Sequence, residues 1–337
     1  MEGSSPNGSA HGEKPANPLE AAFGAKDTAF RIPLIEGCAF LSTEFPPITW
    51  LVPHFIPKGA LVFFAGEPES YKTFFAFALM TRMDGLQRLF DFVECDMPVF
   101  NEVLPSSRVA FIEEEMNPAF TQQRLKKLYG SGGTLPDTFY ISHSSGIQLA
   151  NPEHLKALRA IVVEKKLDVV FLDPFVSVAG VDDESANAEI STMLTAIRKQ
   201  LIDDPMVNCT VVFIHHPAKN QVGRASSLRG AGEIMGKADI AISFKRSETD
   251  PEATITVMKY RLEDRTKIPA FKVQFRDEGE KTSIVLSGID TDKRPDSLKA
   301  KETQEEELVN KMTAIFPIAG CSKRDLAFLM DTTVNTR

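Results

Sequence analysis

The chain has 337 residues, of which 43% are hydrophobic and 25% are charged, and its formal net charge is -8. This composition is typical of a globular protein with a real core, it argues against non-specific coating of nucleic acid, and no apolar run approaches the roughly 20 residues of a membrane helix. The four cysteines form no CxxC pair, so no zinc site is predicted and a reducing, cytoplasmic location is expected.

The chain is predicted to contain one main domain with two tails. Residues 1 to 28 are rich in Gly, Ser, Pro and Asn, which predicts a disordered leader because such residues cannot repay the entropy of ordering. Residues 29 to 288 are expected to form the core. The polar residues 289 to 301 are expected to be a linker, and residues 302 to 337 a short helical tail that resembles part of a helix-turn-helix.

From Ala60 onward, apolar strand-like runs alternate with helix-like segments, a rhythm that predicts parallel strands joined by covering helices. The predicted strands are 60–65, 108–113, 138–142, 168–172 and 209–214, and the predicted helices are 72–83, 118–129, 152–165 and 186–201. After residue 237, three further strands, 238–244, 253–261 and 270–275, follow one another through short turns, which predicts an antiparallel extension of the sheet.

The segment LVFFAGEPESYKTFF, residues 61–75, predicts a phosphate loop between a strand and a helix. In such loops, backbone N–H groups hold phosphate oxygens, the lysine reaches the β and γ phosphates, and the hydroxyl residue ligates Mg²⁺. The predicted binding residues for ATP are Gly66, Glu67, Pro68, Glu69, Ser70, Tyr71, Lys72 and Thr73. An ordinary polar turn is the alternative interpretation.

One residue departs from the phosphate-loop pattern, because Tyr71 stands where the last glycine is expected. Glycine at that position leaves volume for phosphate oxygens, so the Tyr71 ring is predicted to point out of the loop, towards the base or a neighbouring subunit. A second match supports the loop: DVVFLD, residues 168–173, is an apolar run that ends in a carboxylate. Asp173 is therefore predicted to hold Mg²⁺ together with Thr73, with a helix cap or a plain strand end as the alternative role.

Four further segments carry residue types expected around a phosphate loop. They are RVAFIEEEMNP at 108–118, TVVFIHHPAKN at 210–220, the sequence Ser-Ser-Leu-Arg at 226–229, and TITVMKYRLED at 254–264. In this order they resemble the RecA-like hexameric ATPases, closest to the RepA-type plasmid replication helicases and more distantly the DnaB-type helicases. The resemblance covers residues 46 to 277.

The resemblance implies an α/β fold, with a RecA-like P-loop core, a mainly parallel sheet and flanking helices. It also implies an ATP hydrolase that works as a ring-shaped homo-oligomer, expected to be a hexamer, on single-stranded DNA and not on a membrane. Glu115 matches the general base, with Glu113 and Glu114 as alternatives, although three glutamates can also form a solvated helix start. His216 matches the γ-phosphate sensor, and a hydrogen-bonded histidine at a strand end is the alternative.

Two groups of cations complete the resemblance. Lys219, Arg224 and Arg229 match a loop that faces the central channel and contacts single-stranded DNA, and a mobile surface loop with scattered cations would look alike. Lys259 and Arg261 match a pair that reaches the ATP site of the next subunit, and a period of two puts both on one strand face. Ordinary surface cations are the alternative.

Two other functions fit parts of the pattern. A nucleotide-gated scaffold, in which Tyr71 weakens turnover and ATP fixes an assembly or DNA-binding state, belongs to a different functional class. A RecA-like recombinase or a clock-type relative is a third interpretation, which the single predicted ATPase core makes weaker. Phosphate release with and without single-stranded DNA separates a motor from a scaffold.

Overall fold

A computed structural model describes residues 34–44, 47–94, 102–130, 135–181, 187–216, 231–247, 249–262 and 268–289. The predicted leader, the linker from residue 290 onward, the helical tail and the predicted DNA-binding loop lie outside the described residues. The chain divides into two units, Met1–Thr49 and Trp50–Arg337. In the first unit, helix α1 spans Gly37–Ser42 and has no buried residue.

The second unit contains the sheet and its covering helices. Its first half has β1 (Trp50–Val52), β2 (Ile56–Pro57), β3 (Leu61–Gly66), α2 (Lys72–Arg82), β4 (Phe92–Val93), β5 (Val109–Glu113), α3 (Pro118–Tyr129), β6 (Phe139–His143) and α4 (Pro152–Lys165). Its second half has β7 (Val169–Asp173), α5 (Phe175–Ala179), α6 (Asn187–Ile197), a π-helical segment (Arg198–Ile202), β8 (Thr210–His215), α7 (Ala231–Lys237), β9 (Ile240–Lys245), β10 (Glu252–Tyr260), β11 (Phe271–Asp277) and β12 (Thr282–Gly288).

Ten of these strands form one sheet in the order β4-β12-β11-β10-β9-β3-β8-β7-β5-β6. Strand β3 pairs in parallel with β8 on one side and β9 on the other, and β8, β7, β5 and β6 continue in parallel. The pairs β9–β10, β10–β11 and β11–β12 are antiparallel. The predicted α/β RecA-like fold, with a mainly parallel sheet and an antiparallel extension, is confirmed.

The core lies on both faces of this sheet. Side chains of β3 alternate between two buried clusters: Val62 and Phe64 pack with α2 and the antiparallel strands, whereas Leu61 and Phe63 pack with α4, α5 and α6. Because successive side chains of a strand point to opposite faces, a strand buried on both sides needs the continuous apolar run that the sequence has here. Phosphate-loop strand β3 is thereby fixed in the middle of the fold.

Most predicted elements are present, with boundaries shifted by one or two residues. The predicted helix 186–201 is α6, and its last turn continues as the π-helical segment. Strands β1, β2, β4 and β12 and the short helix α5 were not predicted from the sequence. Among the described residues, no helix is long and apolar enough to cross a membrane.

Candidate nucleotide-binding site

Strand pairing brings the predicted site residues to one edge of the sheet. Ala65 of β3 lies opposite His215 of β8, and Glu113 of β5 lies opposite Asp173 of β7. Because β3, β8, β7 and β5 are parallel neighbours, their carboxyl ends form one continuous rim. Ligands of open α/β sheets bind at this rim.

The loop from β3 to α2 makes a tight turn against its neighbours. A Cβ added at Gly66 would lie 2.3 Å from the carbonyl oxygen of Phe244, so only glycine fits where the strand ends. The Lys72 side chain is buried, and its Nζ donates to the carbonyl oxygen of Glu67 at 2.6 Å and to Oγ of Ser70 at 3.2 Å. Burial lowers the pKa of Lys72 to about 8, although Asp173 and Glu67 oppose this change.

Tyr71 adopts a backbone conformation that favours glycine, with φ 70° and ψ 12°. Its ring centroid lies 5.0 Å from that of Phe275 on β11 and 6.1 Å from that of Phe74 on α2, both in edge-to-face geometry. The guanidinium carbon of Arg246 lies 4.3 Å from the Tyr71 ring centroid. The ring is therefore held by β11, α2 and the residue that follows β9.

Thr73 and Asp173 meet as the predicted metal pair. Oγ1 of Thr73 donates to Oδ2 of Asp173 at 2.7 Å, across 100 residues of sequence. Asp173 is only 4% exposed, and burial raises its pKa to about 7; the Thr73 hydrogen bond and Lys72 oppose the change, and the charges of Glu113 and Glu115 add to it. A hydroxyl and a carboxylate in contact form the donor set that Mg²⁺ prefers.

The three consecutive glutamates have three different environments. Glu113 is buried, and its Oε1 accepts the N–H groups of Glu115 and Met116 at 3.0 and 2.8 Å. Burial raises the pKa of Glu113, and the two backbone hydrogen bonds oppose the change. The Glu114 carboxylate instead accepts backbone N–H groups of Ser145 and Gly146, both at 2.9 Å. Glu115 is exposed beside the rim, so Glu115 and Glu113 remain the two candidates for the general base.

Both histidines at the end of β8 are held near the neutral form. Burial lowers the pKa of His215 to about 4, with smaller effects from His216 and Lys72. Burial and Lys72 lower the pKa of His216 to about 4 as well. His215 is packed edge-on against Phe175, with ring centroids 5.4 Å apart, whereas His216 is half-buried. The more accessible His216 is thus the histidine that keeps its predicted sensor role.

Arg124 is a site residue that sequence reasoning missed. Its guanidinium carbon lies 4.7 Å from the Phe74 ring centroid. Burial lowers the pKa of Arg124, and the carboxylates of Glu113 and Asp173 oppose the change, which places the cation within reach of both charges. The residue lies in the middle of α3, where an arginine gives no local signal of a site.

Lys259 and Arg261 point to the same side of the sheet, while the Tyr260 hydroxyl donates to the carbonyl oxygen of His54. The ammonium group of Lys259 donates to the carbonyl oxygens of Met235 and Gly236 at the end of α7. Arg261 also donates to the carbonyl oxygen of Gly236, and its Nη1 lies 3.4 Å from Oδ1 of Asp239. Both cations have partners within their own chain, and their predicted action on a neighbouring subunit stays a prediction. Lys219, Arg224 and Arg229 lie outside the described residues.

The rim fits a magnesium-bound triphosphate. Among the described residues, Oε2 of Glu113, both ring nitrogens of His215 and Nδ1 of His216 are buried without a hydrogen-bond partner. Burial also disfavours the charged forms of Lys72 and Asp173. Phosphate oxygens beside Lys72 and a divalent cation beside Asp173 would stabilise those charged forms, and the histidine nitrogens can bond phosphate oxygens.

Comparisons with known proteins place the chain in a family. The AAA_25 family model, described as an AAA domain, matches residues 30–222, which is more than half of the chain. Among solved structures, the chain is similar to the ATPase domain of a helicase, with 15% sequence identity and a TM-score of 0.46, over 67% of this chain and 85% of that chain. No curated protein matches the sequence.

Proposed function

Since the chain belongs to the AAA domain family of P-loop ATPases, we propose that it binds ATP with Mg²⁺ at the rim formed by β3, β8, β7 and β5 and hydrolyses it. One observation carries the proposal: the Thr73–Asp173 pair lies beside the buried Lys72 at the end of the phosphate-loop strand. Apart from the helix N-terminus, these three side chains supply the phosphate charge and the metal ligands that triphosphate chemistry requires.

Each residue has a distinct role in this proposal. Lys72 binds the β and γ phosphates, and Thr73 and Asp173 hold Mg²⁺, which supplies charge stabilisation to the phosphate oxygens when it is bound. Glu115 orients the attacking water and accepts its proton, with Glu113 as the buried alternative. His216 hydrogen-bonds the γ phosphate, which its neutral form can do through either ring nitrogen.

We further propose that the chain is a RepA-like helicase or helicase-related motor that assembles with itself into a ring, expected to be a hexamer, on single-stranded DNA. The support is the sequence resemblance, in which Lys259 and Arg261 act on the ATP of the next subunit and Lys219, Arg224 and Arg229 contact DNA. Mass measurement with and without ATP and Mg²⁺ tests this part. A protein that hydrolyses ATP as a monomer would contradict it.

A nucleotide-gated scaffold is the second candidate, and two observations favour it. Tyr71 replaces the glycine that such loops use, and Glu115 is exposed at the rim instead of being held against it. A scaffold would bind ATP tightly and change its assembly or DNA affinity without steady turnover. Measuring phosphate release with and without single-stranded DNA distinguishes the two, since a DNA-dependent motor must accelerate.

The nucleotide site itself is tested by binding of a fluorescent ATP analogue in the presence of Mg²⁺. Lys72→Ala should abolish binding or turnover, because it removes the charge that meets the β and γ phosphates. Lys156→Ala is the matched control, because that lysine is exposed on α4 and pairs only with Glu153 among the described residues. Equal affinity and equal turnover in Lys72→Ala and the wild type would refute the site.

A further inference from the structure

The phosphate loop contains two residues with a side chain in left-handed backbone conformation. Glu69 has φ 62° and Tyr71 has φ 70°, on either side of the buried Ser70. Residues other than glycine rarely adopt this conformation, because the Cβ atom crowds the following carbonyl oxygen. The loop keeps its shape here only if other contacts stabilise both residues.

One guanidinium group contacts both strained residues. Nη1 of Arg246 donates to the carbonyl oxygen of Glu69 at 3.1 Å, and the guanidinium carbon lies 4.3 Å from the Tyr71 ring centroid. Nε of Arg246 donates to the carbonyl oxygen of Asp250 at 2.9 Å, which fixes the guanidinium in the turn that follows β9. Arg246 therefore joins the end of β9 to both left-handed residues of the loop.

The Tyr71 ring is also held on its other side. Phe74 and Phe275 pack against each other with ring centroids 5.4 Å apart, and both contact the Tyr71 ring edge-to-face. Aromatic pairs in this geometry and a cation over a ring face are both attractive arrangements. The ring is thus clamped between the guanidinium and two phenylalanines.

We propose that Arg246 is a positioning residue for the phosphate loop, which holds Tyr71 and Glu69 in the conformation that a glycine-containing loop adopts unaided. The proposal rests on the proposed function, because the loop is positioned for a triphosphate. Arg246 acts through Tyr71 and the Glu69 carbonyl group and not through the phosphates. Its planar, multiple-donor group suits this role, since a lysine cannot stack on the ring and bind two carbonyl groups at once.

A double-mutant cycle with Tyr71→Gly tests the proposal. Arg246→Ala should weaken binding of the ATP analogue about 5- to 20-fold, the scale of one cation–π contact and one charged hydrogen bond. Arg246→Lys should fall between the two. In the Tyr71→Gly background, the same Arg246→Ala change should alter affinity by less than about twofold, because a glycine needs no clamp. Arg276→Ala on β11, whose partners are Gln274 and Glu94, should match the wild type.

A second measurement needs no nucleotide. Hydrogen exchange of the backbone amides at 67–73 should accelerate about tenfold in Arg246→Ala, while amides of β3 and the thermal midpoint stay unchanged. Equal affinity loss in both backgrounds would assign Arg246 a direct contact with nucleotide and overturn the clamp. Unchanged loop exchange would overturn it as well. Failure of the proposed function is a separate result, since wild-type protein would then fail to bind the analogue although the exchange result still decides the clamp.

Discussion

Replacing Asp173 with asparagine should make the nucleotide-free protein more stable while it destroys Mg²⁺-dependent turnover. Burial raises the pKa of Asp173 from 3.8 to about 7, which corresponds to about 4 kcal/mol for holding the carboxylate ionised in the folded chain. Asparagine keeps an oxygen that can accept the Thr73 hydroxyl but carries no charge. Asp173→Asn should therefore gain up to about 4 kcal/mol of folding free energy where the wild-type group is ionised.

The gain depends on pH in a defined direction. A group with a raised folded pKa contributes stability that is fully present below the unfolded pKa and lost as pH rises through the folded pKa. The wild type should thus lose stability relative to Asp173→Asn between about pH 4 and about pH 7, with a constant difference above. His215 and His216 have lowered pKa values, so their contributions rise with pH between about 4 and 6.5. Both proteins contain these histidines, so the difference between them isolates Asp173.

Urea denaturation of both proteins without Mg²⁺ or nucleotide, at about pH 4.5 and about pH 8, measures this difference. The two curves should nearly coincide at the lower pH and separate at the higher one. Asp168→Asn is the control of opposite sign, because it removes the ion pair with Lys58 at the start of the same strand and should destabilise the protein. Equal stability of Asp173→Asn and wild type at about pH 8 would refute the assignment of a strained, buried carboxylate.

Three further predictions concern turnover and DNA. Glu115→Gln should bind ATP but hydrolyse it about 100-fold more slowly, and normal turnover in Glu115→Gln with loss in Glu113→Gln would transfer the base to the buried residue. Combining Lys219→Ala with Arg224→Ala should weaken single-stranded DNA binding and flatten its salt dependence, and an unchanged salt slope would return the loop to a solvated surface. Arg261→Ala should bind ATP normally yet hydrolyse it roughly 10³-fold more slowly, with partial rescue on mixing with Lys72→Ala; full activity would exclude an arginine finger.

The central strands could be predicted because each is an apolar run between polar segments. The structure places most of them one residue closer to the polar end of the run, since backbone pairing does not depend on the side chain. Glu113 pairs with Asp173, and Ala65 with His215, so the strands deliver these polar groups to the rim as part of the ladder. The order of the motifs therefore predicted which residues would share the rim before any contact was known.

Other features depend on contacts between distant segments, which a local pattern does not contain. Arg246 stands in an ordinary turn until the sheet order puts β9 next to β3 and its guanidinium over Tyr71. The different environments of Glu113 and Glu115 follow from where β5 ends, which composition leaves open by two residues. Strand β12 has a short apolar run, but only its pairing with β11 makes it part of the sheet.

The cations near the end of β10 give an isolated subunit a way to remain self-sufficient. Arg261 already bonds Gly236 and Asp239, and Lys259 bonds the last carbonyl groups of α7. If these side chains reach a neighbouring phosphate, each new contact replaces one that the free subunit already has. Ring formation would then be an exchange of nearly equal interactions, so small changes in subunit concentration or nucleotide supply would suffice to load and release subunits.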